Sequence, residues 1–309
     1  MAIPVLIDCD PGHDDAIALL LALASPELEL RGVTTVAGNQ TLEKTTANAI
    51  RVLEAAGHGQ LPVAAGAERP LVREPTRAAE VHGDSGLDGP ALPPARARAI
   101  EAHAIDFLAG ALLSSPQPVT LVPLGPLTNI ALLLARHPGA AERIERVVLM
   151  GGAIAEGNVT PAAEFNVWAD PEAARRVFDS GLDVTMVGLD VTHRALVGPD
   201  HAEQLRASGS LGRIVAELLD FYGAFHREVY GFAGSPIHDA VAVACVAVPG
   251  LLETAHRHVA IECASELCRG RTVVDLWRRT GRAPNAHVAV GIDAEAFVEL
   301  LVERVGGLA

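Results

Sequence analysis

The sequence predicts an α/β fold in which a mostly parallel mixed sheet is flanked by helices on both faces. Three observations carry this reading. Short apolar, β-rich runs alternate with stretches of helical periodicity through the first two-thirds of the chain. The strand-like runs are largely apolar, as strands covered on both faces are. Half of the 309 residues are hydrophobic and 20% are charged, which allows a large core. No linker or internal repeat interrupts the pattern, so a single domain over 1–309 is expected.

Taken in order, Ile3–Asp8 is a continuous apolar strand closed by a turn at Pro11-Gly12. A helix is expected over Asp14–Ala24, where Ser25-Pro26 stops it. Leu28–Ala37 is a second strand, and a helix from Leu42 to Ala56 ends at Gly57. Val119–Leu124 is a strand leading through Gly125-Pro126 to a helix over Ile130–Arg136. Val147–Met150 and Val184–Leu189 are further strands, with a helix over Pro171–Ser180 between them. The last third differs. Residues 209–248 read as extra C-terminal helices broken at 231–236. Short late strands follow at His258–Cys263, Thr272–Leu276 and His287–Gly291, expected as an antiparallel edge or a small hairpin layer, and then a helix over Asp293–Val305. Residues 66–98, rich in Pro, Arg, Gly and Ala, read as an irregular surface loop.

Composition excludes several functions. A formal net charge of −14 is unsuited to nucleic acid, whose affinity depends on Lys and Arg against phosphate. Lys44 is the only lysine, and no Gly-rich loop ends in Gly-Lys, so phosphate-cradling and Schiff-base chemistry lack material. Cys9, Cys245, Cys263 and Cys268 show no metal-binding spacing and read as reduced thiols of a cytoplasmic protein. No apolar run reaches the ~18 residues of a membrane span, and the chain begins directly in a strand, so neither membrane nor secretory leader is expected.

Ligands of open α/β sheets bind beyond the carboxyl ends of the strands. The first strand ends in DCDPGHDDA, which carries Asp8, Asp10, Asp14 and Asp15 within eight residues. The second strand leads to Asn39, and VTLVPL ends in the Leu124 carbonyl. VVLMGG leads to Asn158, Glu164 and Asn166, and His238-Asp239 opens an apolar helix. This set is rich in oxygen and poor in thiol, the preference of hard cations such as Ca²⁺ or Mg²⁺, and a cation would relieve the repulsion among the aspartates. Singly, each residue has an ordinary structural use. Asp14 and Asp15 suit a helix N-terminus, and the asparagines suit turns.

Together, DCDPGHDDA, VAGN, VPLGPLTN, GNVTPAAEFN and PIHDAVAV, in this order, resemble the inosine-uridine-preferring nucleoside hydrolases over nearly the whole chain. The resemblance implies a Rossmann-like sheet and calcium-dependent hydrolysis of the N-glycosidic bond of ribonucleosides, in nucleoside salvage. It implies Ca²⁺ held by Asp10, Asp15, Asp239 and the Leu124 carbonyl, where many members of the family have Thr. Asp10 is then the general base and His238 the general acid, with Asn39 positioning the water. Asp14 and Asn166 would bind ribose hydroxyls, and Asn158 and Glu164 the 5′-hydroxyl. His82, His226 and Tyr230 would line the base pocket, with Asp8 in support. The presence of His238 favours an inosine-uridine or pyrimidine preference. A homodimer or homotetramer is implied as well. Trp277 reads as a packing residue, His13 has no role beyond loop packing, and residues 76–90 are a plausible lid.

Two other readings compete. A non-catalytic nucleoside or ribose binder would keep the metal site but lose acid or base, and both Asp10 and His238 are present. A phosphatase of the haloacid dehalogenase type would use Asp8-Cys9-Asp10, but it needs a later lysine, and only Lys44 exists.

Overall fold

The computed structural model describes residues 2–308. The amino-terminal half runs β1 (Ile3–Cys9), α1 (His13–Ala24), β2 (Leu28–Thr35), α2 (Leu42–Ala55), β3 (Val63–Ala65), α3 (Ala79–His82), α4 (Ala104–Ser114), β4 (Val119–Pro123) and α5 (Thr128–Arg136). A 3₁₀ turn at Pro138–Arg143 leads to β5 (Ile144–Met150), α6 (Phe165–Ala169), α7 (Pro171–Phe178), β6 (Val184–Val187) and α8 (Leu189–Thr192). There follow β7 (Leu196–Val197), α9 (Pro199–Ser208), α10 (Ser210–Tyr230), β8 (Ser235–Pro236) and α11 (His238–Ala247). The chain closes with β9 (Leu252–Arg257), β10 (Val259–Ile261), β11 (Thr272–Val274), β12 (Ala286–Ile292) and α12 (Ala294–Gly306).

The main sheet has the order β3-β2-β1-β4-β5-β6-β12-β9. Every neighbouring pair is parallel except β12 with β9. The strand order reverses between β1 and β4, and such a reversal opens a crevice at the carboxyl edge. The late β patterns divide. β12 extends the parallel sheet beside β6, β9 adds the antiparallel edge, and β10 pairs with β11 in a separate hairpin.

The apolar strands are explained by burial on both faces. In β1, Val5, Ile7 and Cys9 face the core under α1, α2 and α11, while Leu6 faces the core under α4, α5 and α7. β5 alternates likewise, with Val148 and Met150 on one side and Val147 and Leu149 on the other. Helices α1 and α11 pack together, and both are apolar around most of their circumference, so their charged first turns stand out as exceptions. The short β7–β8 pair ties the segment before α11 to the end of α8, and the Ile237 N–H donates to the Ala195 carbonyl at 3.1 Å.

The loop spanning 66–98 contains only α3 and is pinned at its start by Asp170. That buried carboxylate caps α7 through the Ala173 N–H, 3.1 Å, and accepts from the Leu71 N–H, 2.9 Å, and the Thr128 hydroxyl, 2.7 Å. Trp277, expected to pack, is instead 84% exposed. Asp275 accepts from the Arg279 and Thr280 amides and turns the chain beyond β11 away from the core, so no element covers the indole among the described residues. The four cysteines are free thiols. No helix among the described residues is long and apolar enough to cross a membrane.

Asp170→Ala removes one helix cap, strands the buried Thr128 hydroxyl and releases the part-buried Leu71 N–H. Urea unfolding is expected to show a loss of about 3 kcal/mol, whereas a loss within error would mean that the loop is held elsewhere.

Candidate active site

The crevice between β1 and β4 opens into a cleft of about 740 Å³, counted with its mouth. Asp14, Asn39, Leu124 and Asp239 line its floor, and Asp10 and Asp15, which do not line it, are held against them by Asn39. Asp15, three residues into α1, folds back to accept from the Gly12 N–H at 3.0 Å and the Asp10 N–H at 3.1 Å. Asn39 ties the β2 end to both aspartates. Its backbone N–H donates to Asp10 Oδ2 at 2.7 Å, and its amide donates to the Asp10 carbonyl at 3.2 Å and to Asp15 Oδ2 at 3.1 Å. Asp10 sits between two glycines. A Cβ on Gly38 would fall 2.1 Å from Asp10 Oδ2, and one on Gly125 would fall 2.3 Å from Asp10 Oδ1. Asp8 lies beneath, accepting from the Thr34 hydroxyl at 2.5 Å and the Asn129 amide at 2.7 Å. The Leu124 N–H donates to the Asp8 carbonyl at 2.7 Å, so β1 and β4 meet directly below the cleft.

Asp14, Asp15 and Asp239 offer carboxylate oxygens that all lie within 4.8 Å of one another, a group that could hold a metal ion. The sequence-derived ligand set of Asp10, Asp15, Asp239 and the Leu124 carbonyl shares Asp15 and Asp239 with that group. Burial, reinforced by the neighbouring carboxylates, pushes the pKa of Asp10 and Asp239 upward and that of Asp14 to about 8, while burial alone raises Asp15 against the amides and the Asp239 hydrogen bond that oppose it. The Asp10 Oδ1 and Asp8 Oδ2 atoms are buried with no hydrogen-bond partner among the described residues. No Lys or Arg lines the cleft. Clustered oxygen donors with unsatisfied lone pairs and no internal cation fit a hard divalent ion. Lys44, the one lysine a phosphatase could use, is not among the lining residues. Its ammonium donates to the Asp84 carbonyl and to Gln40.

The remaining predicted residues line the walls. Glu164 caps α6, accepting from the Asn166, Val167 and Gly152 amides at 2.8, 3.1 and 2.8 Å. Burial nonetheless raises it to about 7. The Asn166 amide donates to the Leu124 carbonyl at 2.6 Å and to the Met150 carbonyl at 3.2 Å, which leaves its oxygen free. Asn158 accepts from the Phe165 N–H at 2.9 Å, and the Tyr230 hydroxyl donates to the Asn158 carbonyl at 3.3 Å. His226 Nδ1 lies 2.9 Å from the Tyr222 carbonyl, which can only accept, so Nδ1 donates and Nε2 is an acceptor. His238 opens α11 with Nδ1 2.7 Å from the Thr192 hydroxyl. Burial, followed by His193, His226 and His82, holds the His238 pKa well below the ordinary imidazole value.

Three participants were not found in the sequence. The Tyr222 hydroxyl donates to Asp14, while its ring meets His226 edge-on at 4.3 Å. His193 meets His238 edge-on at 5.5 Å, and Thr192 orients His238. Only Tyr222 gave a usable signal, its i, i+4 spacing to His226 on one helix face.

An acidic floor below a wall of imidazole and phenol rings defines a hydrolase site for a polar sugar carrying a flat base. The comparisons agree. The family model described as inosine-uridine preferring nucleoside hydrolase matches residues 5–299. The pyrimidine-specific ribonucleoside hydrolase RihA of Citrobacter koseri is 51% identical over 98% of both chains. A plant nucleoside hydrolase, the PpNRh1 enzyme, superposes with a TM-score of 0.94 at 34% identity, covering 99% of this chain and 100% of its own. A purine-preferring ribonucleoside hydrolase from Gardnerella vaginalis gives 0.93 at 33%, covering 99% and 98%. The chain belongs to the inosine-uridine preferring nucleoside hydrolase family.

Gly38→Ala should displace the Asp10 carboxylate without touching the core. Turnover is expected to fall by about 10²-fold with an unchanged far-UV spectrum. Wild-type turnover would show that the placement of Asp10 does not matter.

Proposed function

We propose that this enzyme hydrolyses the N-glycosidic bond of ribonucleosides, releasing ribose and free base, with Ca²⁺ as its ion and pyrimidine nucleosides as its preferred substrates. The observation that carries the reading is the adjacency of Asp239, in the carboxylate group, to His238, an oriented imidazole facing the same cleft. The pyrimidine preference is supported by the 51% identity to a hydrolase named pyrimidine-specific. The same reading makes the chain one folding unit and expects a cytoplasmic homodimer or homotetramer.

Asp10, Asp15, Asp239 and the Leu124 carbonyl would hold the ion. Bound there, it would supply the positive charge that the buried carboxylates lack and polarise a water molecule. Asp10, with its orphaned Oδ1, takes the water's proton, and Asn39 fixes Asp10 in place. The water oxygen bonds to the anomeric carbon as the bond to the base nitrogen breaks. Positive charge builds on the ribose in that step, and the surrounding carboxylates stabilise it. Asp14 and the free oxygen of Asn166 accept from ribose hydroxyls, while Asn158 and Glu164 hold the 5′-hydroxyl. This pins the sugar and directs binding energy to the transition state. The base leaves with a proton from His238. Thr192 holds its Nδ1 and so orients the ring for that transfer. His82, His226 and Tyr230 frame the base.

Uridine and cytidine should release ribose faster than inosine, and EDTA should stop all three. No ribose from any of them in Ca²⁺-replete buffer would sink the reading. Asp10→Asn should slow every substrate by about 10³-fold, the range of a lost general base. His238→Ala should slow uridine by about 10²-fold yet leave p-nitrophenyl riboside nearly unchanged, because that leaving group needs no proton. Equal losses on both would remove His238 as the acid.

A further inference from the structure

His13 opens α1 one residue before Asp14, and nothing in the chemistry above uses it. Its side chain is fully buried. The ring lies parallel to Phe221 at 5.0 Å with the planes 1° apart, and stacks on Tyr222 at 5.6 Å. Its Nε2 sits 2.8 Å from the Asp88 carbonyl, which can only accept, so Nε2 donates. Its Nδ1 lies 3.1 Å from Nδ1 of His82, and the His13 backbone N–H points at the same atom from 3.2 Å. With Nε2 donating, the neutral His13 ring has only a lone pair at Nδ1, so it is the His13 backbone N–H that fills His82 Nδ1, and the two ring nitrogens are in contact without a hydrogen bond. Only Nε2 of His82 is left for a ligand, and it has no protein partner among the described residues. The His82 ring is seated on Gly12, where a Cβ would fall 2.5 Å from it.

The segment that follows His82 is anchored from two sides. From α2 and the loop before it, Gln40 donates to the Gly83 carbonyl at 3.0 Å, Asn48 donates to the Ser85 carbonyl at 2.9 Å, and Lys44 donates to the Asp84 carbonyl. From α1 the anchor is His13, through Asp88 and His82. The same helical turn that carries Asp14 and Asp15 thus also holds the wall carrying His82.

We propose that His13 is a positioning residue for base recognition: it fixes His82 and its loop so that His82 presents Nε2 to the edge of the base. This rests on the assignment of His82 to the base pocket. Its side chain hydrogen-bonds none of the carboxylates and reaches them only through its stack on Tyr222, so its loss acts chiefly on the binding of a base with hydrogen-bonding edges.

The test is a double-mutant cycle of His13→Ala, His82→Ala and the pair, read as KM and kcat on uridine and on p-nitrophenyl riboside, whose nitrophenyl ring lacks the amide edge of a base. Each single variant should raise KM for uridine about tenfold, the loss of one good hydrogen bond. In the His13 variants the kcat for uridine and both constants for p-nitrophenyl riboside should stay nearly unchanged, and the pair should be no worse than His82→Ala alone. His13→Gln, whose amide can reach the position of Nε2 and donate to the Asp88 carbonyl, should recover part of the loss. His13→Phe, which keeps the stacked ring and has no donor, takes the place of His13→Ala in the cycle if that variant does not fold. An unchanged KM in the His13 variants, equal losses on both substrates, or losses that multiply in the pair would each overturn the proposal. An unchanged KM in His82→Ala would remove the assignment of His82 itself, and the proposal with it, while leaving the hydrolase reading intact.

Discussion

Mutual repulsion among buried carboxylates is the constraint on which this structure turns. Asp10, Asp14, Asp15 and Asp239 lie where solvent cannot screen them, and no Lys or Arg reaches the cleft. Much of the local architecture manages that cost. Asp15 is satisfied by amides of its own turn and by Asn39. Gly38 and Gly125 leave room for the Asp10 carboxylate to stand between β2 and β4. The β1–β4 reversal brings the ends of both strands to one place. Such an arrangement could hold a metal ion, and an oxygen-only donor set fits a hard one.

The site divides by chemistry along the cleft. The floor comes from strand ends and the first turns of α1 and α11, rigid elements that hold carboxylates at fixed separations. The walls come from α6, α10, the α8 end and the loop after β3, and they supply rings and amide caps. Hydrolysing a glycosidic bond needs both halves, negative charge around the sugar and a proton for the base. In the proposed reaction His238 and Asp239, consecutive residues, serve one half each. The two-residue β7–β8 pair sets where they start, since it fixes Ile237 beside Ala195 and places Thr192 against His238.

The sheet was legible because β1, β4, β5 and β6 are buried on both faces and therefore read as unbroken apolar runs. Elements lacking that property escaped. β9 is an edge strand of mixed polarity, and α4 is capped by His103, a residue that does not announce a helix start. Trp277 misled for the converse reason, since an indole in an apolar run reads as core although its loop turns outward. Within the site, residues carried by short motifs at strand ends were readable. His193 and Thr192 were not, because each acts through a contact with a residue distant in the chain, and Tyr222, despite its visible spacing to His226, reads as packing because a ring on an amphipathic helix ordinarily is. His13 lay in the most legible motif and was still opaque, because its partners His82 and Asp88 are set by a loop without periodicity.

Titration calorimetry of the chelator-treated protein with Ca²⁺, with Asp239→Asn as the comparison, separates a cation site from a merely structural cluster of buried carboxylates. Saturable binding of a single ion per chain is expected, with a thermal midpoint that rises with Ca²⁺ concentration and loss of both in the variant. A folded protein that takes up no Ca²⁺, with a midpoint indifferent to the ion, would leave the carboxylates with no cation to hold.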